Sequence, residues 1–376
     1  MPAVNSVLVV GAGAAGCATA IGLAEAGVAV DVVEINPSVT ALGSGITVQG
    51  NALRVLRQLG VWPRVEAAGY AFDSLGLRAP DPQGTLLAEF PDVRSGGPDL
   101  PATVGMYRPD LARILTDRAL EVGVKLRYVT TVDGLAGDDA GVDVRFADGS
   151  TGRYDLVVGA DGVRSRTRSL LGIQLDTAPV GMGIWRAFTK RPASITRTDL
   201  IYGGPCYIAG YCPTGEDTMY CYLVERAQDR SGLTSAQQLD VMRELSQAYH
   251  GPWDEIREVL TDRNRLNYRH FEHHVLPAPW NRGRVVLIGD AAHICPPTLA
   301  QGAAMALEDA AVLTELLIGR DAVEQELWDA FMQRRLTRAG AVVTASMQLA
   351  QWLLDHEQGD VPGLIGRTMG MLTEPA

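Results

Sequence analysis

The stretch from Ser6 to Glu34 limits the possible folds of this chain more than any other part of it. It contains a short β-branched run, the pattern Gly11-x-Gly13-x-x-Gly16, an alanine-rich run and a second apolar run that ends at Glu34. In a strand–turn–helix unit of this kind, the first glycine permits a tight turn, the second lets a diphosphate approach the backbone, and the third lets the helix pack closely on the sheet. The N–H groups and the dipole at the start of the helix favour an anion. The sequence therefore predicts an α/β fold with a dinucleotide site, in which Glu34 accepts hydrogen bonds from a ribose diol.

Two later apolar runs end in a pair of aspartate and glycine. The first run is followed by Asp161-Gly162, and the second is followed by Gly289-Asp290. Either pair considered singly is usually only a turn. In an open α/β sheet, however, ligands bind beyond the carboxyl ends of the strands, where the strand order reverses. The joint placement of both pairs and the glycine motif predicts that all three strand ends face one cleft.

The middle of the chain has a different character. From 181 to 224, β-branched and aromatic runs alternate with turns rich in glycine, proline and aspartate, which is typical of an antiparallel sheet. Apolar spacing predicts an amphipathic helix over 323–356 and another over 51–60, with Asn51 as the N-cap of the latter. We therefore expect a second, mostly antiparallel domain and a C-terminal helix that packs on the first domain.

Composition and charge exclude several classes of protein. The chain has 33 basic and 44 acidic residues, a formal net charge of −11, which argues against a nucleic-acid surface. Its 5 cysteines form no CxxC pair and no metal-ligand spacing, as expected of a reduced protein without a metal site. No run approaches the roughly 18 apolar residues of a membrane span, and the start lacks the basic region of a signal peptide. We expect a cytoplasmic protein with no nucleic-acid or membrane partner.

Five motifs together make the chain resemble a known family, the single-component FAD-dependent aromatic hydroxylases of the para-hydroxybenzoate and salicylate hydroxylase type. They are the glycine motif, GxGI followed by NAL in Gly43–Leu59, Arg108 in RPDL, DGxxS at Asp161–Ser165 and GDAAH at Gly289–His293. The resemblance covers most of the chain. It implies a glutathione-reductase-type FAD-binding Rossmann domain, an inserted and mostly antiparallel β-sheet substrate domain, and C-terminal helices.

With that fold we expect three parts. The expected FAD-binding domain is discontinuous and comprises 1–70, 105–178 and 282–345. The expected substrate domain comprises 71–104 and 179–281, and 346–376 forms a C-terminal helical segment.

The resemblance also implies roles for individual residues in cofactor binding. Glu34 would hold the adenosine ribose, Arg108 would lie near the FAD phosphates, and Asp290 would hold the ribityl or ribose region. Asp161-Gly162 would serve both FAD and NAD(P)H, and 296–303 would border the isoalloxazine. The full expected set is Gly11, Gly13, Ala15, Gly16, Glu34, Gly45, Arg108, Asp161, Gly162, Gly289, Asp290, Gln301, Gly302 and Ala303.

This sequence departs from the family pattern near the flavin. Ala300 and Ala304 stand where relatives often have glycine and asparagine, so the pyrimidine edge of the flavin is expected to be held mainly by backbone N–H groups. Only one GxGxxG motif exists, which fits a single domain serving both cofactors. The lack of a CxxC pair excludes a flavin disulfide reductase.

The reaction is likewise implied by the resemblance. NADH or NADPH would reduce FAD, O₂ would add to give a flavin C4a-hydroperoxide, and one oxygen atom would enter a small aromatic or heteroaromatic substrate. An alternative is epoxidation, oxidative decarboxylation or tailoring of a polycyclic product by the same fold, and a second is a flavin-binding sensor without turnover. No metal and no general base are assigned, and the expected assembly is a monomer or a homodimer.

Substrate contacts are expected on the second domain. Strand alternation places Arg186 on one face with Ile184 and Phe188, where it would suit a substrate carboxylate or phenolate, although a salt bridge is an equal alternative. Tyrosines on neighbouring strands are candidates too, with ordinary sheet packing as the alternative. The expected set is Arg186, Tyr202, Tyr211, Tyr220, Tyr222 and Pro297.

Overall fold

The computed structural model of the chain describes residues 2–38 and 44–376. Gly43 of the GxGI motif lies outside these residues. The strands are β1 (Ser6–Val10), β2 (Ala29–Glu34), β3 (Gly45–Gln49), β4 (Tyr70–Phe72), β5 (Ser74–Arg78), β6 (Leu86–Pro91), β7 (Thr103–Tyr107), β8 (Lys125–Tyr128), β9 (Val132–Gly137), β10 (Val142–Phe146), β11 (Thr151–Tyr154), β12 (Leu156–Gly159), β13 (Ala178–Lys190), β14 (Thr198–Tyr202), β15 (Ile208–Pro213), β16 (Thr218–Arg226), β17 (Leu266–Val275), β18 (Asn281–Arg282), β19 (Val285–Leu287) and β20 (His293–Ile294). The helices are α1 (Ala14–Glu25), α2 (Gly50–Gln58), α3 (Trp62–Ala68), α4 (Arg108–Glu121), α5 (Arg166–Leu170), α6 (Ser235–Ser246), α7 (Pro252–Val259), α8 (Gly302–Ile318), α9 (Gln325–Asp355) and α10 (Val361–Thr373).

The first large sheet is the one that the glycine motif predicts. Its 6 strands run in the order β18-β19-β12-β1-β2-β8, and all neighbours are parallel except β18 and β19. Alternate residues of β1 enter different cores: Val7 and Val9 pack with the helices, and Leu8 and Val10 pack with the small sheet β9–β11. Because both faces are covered, the strand is apolar throughout rather than alternating.

The second large sheet has 8 strands in the order β20-β17-β13-β16-β15-β14-β5-β6, antiparallel except for the pair β14 and β5. One face packs on α6 and α7 around a core that includes Trp185 and Trp253. Residues on the other face line a cavity together with residues at the strand ends of the first sheet. Part of this second face packs on α9, where Val180 and Ala350 share one core. The sheet therefore has one structural face and one face that is partly available to a ligand.

The predicted helix at 51–60 forms, but its cap differs. The N-cap is Gln49, and α2 begins at Gly50. Asn51 is buried inside the first turn, where its backbone N–H bonds to Ser95 Oγ at 2.9 Å. The prediction that Asn51 is the N-cap is wrong, because tertiary contacts recruit its amide away from the helix terminus.

The C-terminal part of the chain is helical. The amphipathic pattern at 323–356 corresponds to α9, and α10 follows it. Among the described residues, none of the helices combines the length and the apolar content that a bilayer span requires.

Candidate functional site

A cavity of about 950 Å³ lies where the strand ends of the six-stranded sheet meet the open face of the eight-stranded sheet. Its volume is near the upper end of the roughly 300–1,000 Å³ found for small-molecule sites. Most of the expected cofactor residues line it: Gly11, Gly13, Ala15, Glu34, Gly45, Arg108, Asp161, Gly162, Asp290, Gly302 and Ala303. Gly16, Gly289 and Gln301 are absent from the lining, so any role they have in binding is indirect.

Glycine stands at each of the three motif positions for a different structural reason. Gly11 has φ +104°, and a Cβ there would lie 2.4 Å from the carbonyl oxygen of Ala160. A Cβ on Gly16 would lie 2.0 Å from the carbonyl oxygen of Gly11. A Cβ on Gly13 would meet no described atom within 4 Å, because that position opens onto the cavity. The first and third glycines are required by the fold, and the second leaves room for a ligand.

The start of α1 presents donors to the cavity. Gly13 is its N-cap, and within the described chain no side chain caps this helix. The N–H groups of the first turn are therefore available to an anionic group, which the helix dipole also favours.

Glu34 is held in place by the glycine turn. Its Oε2 accepts a hydrogen bond from the Ala12 N–H at 3.0 Å, and its Oε1 accepts from the Asn36 N–H at 2.9 Å and from Asn36 Nδ2 at 2.7 Å. The carboxylate lies at the end of β2 and faces the cavity. This is the position that a ribose diol requires of an acceptor next to a diphosphate turn.

The two aspartates of the later motifs differ in what they bond. Asp161 accepts hydrogen bonds from Ser165 Oγ at 2.5 Å and from the N–H and Oγ1 of Thr167 at 2.8 and 2.9 Å, so its carboxylate organises the start of α5. Asp290 faces the cavity, and its carboxylate accepts no hydrogen bond from any described residue. Enclosure by protein on its other sides raises the pKa of Asp290. Of the two carboxylates, that of Asp290 is the one free to accept hydrogen bonds from a ligand, and that of Asp161 is occupied by Ser165 and Thr167.

The side chain of Gln301 does not line the cavity. Its side chain is fully buried: Oε1 accepts from Asn51 Nδ2 at 3.0 Å, and Nε2 donates to Gln49 Oε1. The structure turns the amide away from the cavity because buried polar groups elsewhere need it as a partner. The preceding Ala300 has φ +52°, a left-handed conformation that glycine adopts at lower cost.

Arg186 is a charged residue on the face of the eight-stranded sheet that lines the cavity. It projects from β13 into the cavity and makes no hydrogen bond or ion pair with any residue in the described ranges. Burial lowers the pKa of its guanidinium, and the charge of Arg108 acts in the same direction. An arginine nevertheless remains protonated in proteins, so the cavity contains an unneutralised cation.

An aromatic wall adjoins Arg186. Tyr220 and Tyr222 stack with ring centroids 5.6 Å apart, and the Tyr220 hydroxyl lies 2.6 Å from Thr47 Oγ1. A Cβ on Gly45 would lie 2.0 Å from the Tyr220 ring, and a Cβ on Gly210 would lie 2.5 Å from the Tyr222 ring. Sequence reasoning missed Thr47 and Gly210, since nothing local marks a residue that bonds to a distant tyrosine or makes space for its ring.

The remaining expected substrate residues divide into two groups. Tyr202 and Pro297 line the cavity with Tyr220 and Tyr222. Tyr211 lies on the opposite face of the sheet, where its hydroxyl donates to Asp199 Oδ2 at 2.7 Å. Because Tyr211 is outside the cavity, we leave it out of the proposed substrate site.

Comparison with known proteins agrees with this geometry. The family described as an FAD binding domain matches residues 5–346. The chain belongs to this family of FAD-binding proteins.

Relatives cover almost the whole chain. It is 30% identical over 369 residues to 6-hydroxynicotinate 3-monooxygenase of Pseudomonas fluorescens, covering 93% of this chain and 92% of that protein. It is 30% identical over 360 residues to aurachin C monooxygenase/isomerase of Stigmatella aurantiaca, covering 92% and 90%. A crystal structure of a variant of 2-methyl-3-hydroxypyridine-5-carboxylic acid oxygenase has a TM-score of 0.81 at 25% identity, covering 97% and 96%. The predicted fold and the prediction of an FAD-dependent monooxygenase of the aromatic hydroxylase type are confirmed.

The residues of the cavity fit FAD. The uncapped start of α1 and the open position at Gly13 suit the diphosphate, and Glu34 is a fixed acceptor for a diol. Arg108 begins α4 and faces the cavity, and Asp290 is an acceptor without a described partner. This set of donors and acceptors matches the groups of a flavin dinucleotide.

A buried ionic network lies behind the FAD site, and sequence reasoning did not find it. Asp309 Oδ2 accepts from the Gly289 N–H at 2.8 Å and pairs with His293 Nε2 at 2.6 Å. Asp309 Oδ1 accepts from Arg335 Nε at 2.7 Å. Burial alone would raise the pKa of Asp309, but His293 and Arg335 together lower it to about 2. His293 thus has a buried structural partner.

This pKa predicts a loss of stability in acid. Because the folded-state pKa is below the ordinary value of 3.8, the folded protein binds fewer protons at Asp309 than the unfolded protein does. Its stabilising contribution is therefore present above about pH 4 and lost as the pH falls towards 2, with a size of about 2 kcal/mol. Urea unfolding of the wild type and of Asp309→Asn should show a difference of that order at pH 7 that shrinks below pH 4. An equal difference at both pH values would contradict the assignment.

Proposed function

We propose that this protein transfers one oxygen atom of O₂ to an aromatic or heteroaromatic acid, with NADH or NADPH as the electron donor. Overall, a ring C–H, O₂, NAD(P)H and a proton would give a ring C–OH, NAD(P)⁺ and water. The observation that carries the proposal is the guanidinium of Arg186, which faces the cavity without a described partner. Arg186 is half-buried, and a cation that is partly removed from water costs free energy, which a bound anion would offset. A substrate carboxylate would supply that anion and two parallel hydrogen bonds.

Two of the compared proteins support the choice of an acid. The relative from Pseudomonas fluorescens is named for 6-hydroxynicotinate, and the solved structure is named for 2-methyl-3-hydroxypyridine-5-carboxylic acid. Both names describe a pyridine ring that carries a hydroxyl and a carboxyl group. We propose the same chemical class for this protein.

The protein's own groups would bind and orient the ring. FAD, when bound, supplies the redox chemistry and the activation of O₂. Arg186 would fix the carboxylate, and the stacked Tyr220 and Tyr222 would hold one edge of the ring. Burial raises the pKa of both phenols, so both hydroxyls stay protonated at neutral pH. Pro297 and Leu299 would exclude water from the reacting carbon.

Exposed arginines favour a nicotinamide dinucleotide as the electron donor. Arg164 and Arg269 both line the cavity and are exposed, and neither has a partner among the described residues. They offer positive charge to a diphosphate beside Asp161-Gly162. We propose this rim as the place where NADH or NADPH approaches.

The FAD-binding residues and the domain boundaries expected from the sequence remain proposals, and we narrow the set of FAD-binding residues. We propose direct FAD contacts for Gly13, Glu34, Arg108 and Asp290, and an indirect role for Gln301. We also keep the proposed division into domains, since β5 and β6 belong to the sheet that carries Arg186. Two of the proposed boundaries would fall within an element, 104/105 in β7 and 345/346 in α9.

The test is oxidation of NADH and NADPH by FAD-loaded protein with oxygen uptake followed in parallel. The panel contains 6-hydroxynicotinate, 2-methyl-3-hydroxypyridine-5-carboxylic acid and hydroxy- and amino-benzoates, each beside its carboxamide. We expect at least one acid to raise the rate at least about tenfold and to gain one oxygen atom, while its carboxamide does not. The factor follows from a charge-assisted contact worth at least about 1.4 kcal/mol.

Two results would contradict the proposal. A carboxamide that reacts as well as its acid would remove the role of Arg186 as a carboxylate site. NAD(P)H oxidation that no aromatic compound stimulates, with all oxygen recovered as peroxide, would indicate an oxidase, and no oxidation at all would favour a flavin-binding sensor.

A further inference from the structure

We propose that Arg335, Glu308 and Asp309 form a positioning device that holds two FAD-facing segments at once, the Gly289-Asp290 turn and the loop that ends at Gln301. The inference rests on the proposed FAD contacts of those segments. It concerns three residues that do not line the cavity themselves.

Asp309 holds the first segment. Its Oδ2 accepts the Gly289 N–H at 2.8 Å and pairs with His293 Nε2 at 2.6 Å, one residue before and three residues after Asp290. Gly289 has φ +59°, so the turn depends on a left-handed backbone that an external bond keeps in place. Fixing both sides of Asp290 determines where its free carboxylate points.

Glu308 holds the second segment. Its Oε1 accepts from Asn51 Nδ2 at 3.1 Å, and the same nitrogen lies 3.0 Å from Gln301 Oε1. The Gln49 amide nitrogen bonds to the carbonyl oxygen of Leu299 at 3.1 Å, within the same loop. The amide chain therefore links Glu308 to the backbone beside Ala300, Gly302 and Ala303, which line the cavity.

Arg335 joins the two arms. Its Nε donates to Asp309 Oδ1 at 2.7 Å and one terminal nitrogen donates to Glu308 Oε2 at 2.9 Å. Its side chain is 0% exposed, and the two carboxylates are 0% and 2% exposed. Consecutive carboxylates on α8 thus point to two different loops and meet on one planar guanidinium of α9, a geometry that lysine could not reproduce.

Stability alone does not require this arrangement. A buried ion pair is often no more stabilising than well-packed apolar residues, so its retention needs a further reason. The reason offered by the geometry is that Asp309 and Glu308 each reach a backbone or amide group of an FAD-facing segment. Arg338 also bonds to Glu308 and joins the network to the carbonyl oxygen of Met371 in α10.

The experiment compares Asp309→Asn and Glu308→Gln with Glu315→Gln as the matched control. Glu315 forms a 2.8 Å ion pair with Arg334 between the same two helices, but on the surface, where the Glu315 side chain is 65% exposed. For each folded variant, the dissociation constant of FAD is measured by flavin fluorescence, and the midpoint potential of bound FAD by dye-linked reduction. Arg335→Lys is a second route to the same readouts if Asp309→Asn does not fold.

In Asp309→Asn we expect about a tenfold higher dissociation constant for FAD, because the bonds that hold Gly289 and His293 weaken. We also expect a more positive midpoint potential, because a buried negative charge is lost. In Glu308→Gln the potential should rise in the same direction with a smaller change in affinity, since Asn51 can still donate to the amide oxygen. Glu315→Gln should match the wild type in both.

Asp290→Ala distinguishes a failure of the proposed FAD contact from a failure of the positioning role. If Asp290→Ala binds FAD normally, the proposed FAD contact itself is wrong. If Asp290→Ala loses affinity while Asp309→Asn keeps both affinity and potential, only the positioning role is refuted, and the network merely joins α8 to α9.

Discussion

Gly11→Val is expected to raise the dissociation constant of FAD by at least roughly a hundredfold, the equivalent of about 2.7 kcal/mol. Gly11 has φ +104°, a region that a β-branched residue enters only with strain, and the new Cβ would lie 2.4 Å from the carbonyl oxygen of Ala160. Relief of that clash must move the turn or the end of β12, and both border the diphosphate site. The measurement is FAD titration of the folded apoprotein, with circular dichroism to confirm the fold.

Gly27→Val is the matched control for this change. Gly27 has φ +85° and follows the other end of α1, and a Cβ there would meet no described atom within 4 Å. It should lose stability by the strain of a left-handed valine, about 1–3 kcal/mol, yet bind FAD like the wild type. Equal FAD affinity in the two variants would show that the turn at Gly11 does not hold the diphosphate.

Arg186→Met is expected to lower kcat/KM for an aromatic acid by roughly 10²–10³-fold, because the loss of a buried charge partner costs about 2–5 kcal/mol. Methionine keeps much of the apolar stem and removes the charge. The carboxamide of the same acid should be affected far less. Steady-state kinetics with the acid and carboxamide identified in the panel give the comparison directly.

Lys190→Met is the control on the same strand. Lys190 is exposed at the end of β13 and lies outside the cavity lining, so its loss changes the net charge equally without touching the site. An Arg186→Met variant with the kinetics of Lys190→Met would show that Arg186 does not bind the carboxylate of the substrate. An equal loss for acid and carboxamide would point to a disturbed cavity rather than to a lost ion pair.

The glycine motif shows what could be predicted without a structure. Gly11 and Gly16 each have a local reason: Gly11 has φ +104° in the tight turn, and a Cβ on Gly16 would strike the carbonyl oxygen of Gly11 in the same turn. The contact of a Gly11 Cβ with Ala160 is different, because Ala160 is distant in the sequence. The local constraints recur wherever a strand, a tight turn and a helix follow one another in sequence. For the same reason the placement of Glu34 at the end of the second strand followed from its spacing alone.

The two aspartates show where the sequence was not enough. Asp161 and Asp290 both adjoin a glycine at a strand end, and the difference between them lies in partners. Asp161 is satisfied by residues 4 and 6 positions later, whereas Asp290 has no described partner and faces the cavity. Which carboxylate is free depends on the three-dimensional environment of each.

The alternation of side chains along each strand also left a question that only the structure answered. It separated the residues of each strand into two faces, but it could not say which face would meet the helices and which the cavity. Tyr211 and Tyr222 were equal candidates, and the packing of α7 under one face buried Tyr211 against Asp199.

The sequence by itself determined the FAD-binding fold, because the residues that require it are close together in the chain. The tertiary structure alone decided the roles of Gln301, Asp309 and Arg335, since their partners come from distant segments. Arg335 bonds to carboxylates 26 and 27 positions away, and Asn51 bonds to groups 250 and 257 positions away. A side chain whose partner is that remote carries no local pattern, so only the folded chain shows what it holds in place.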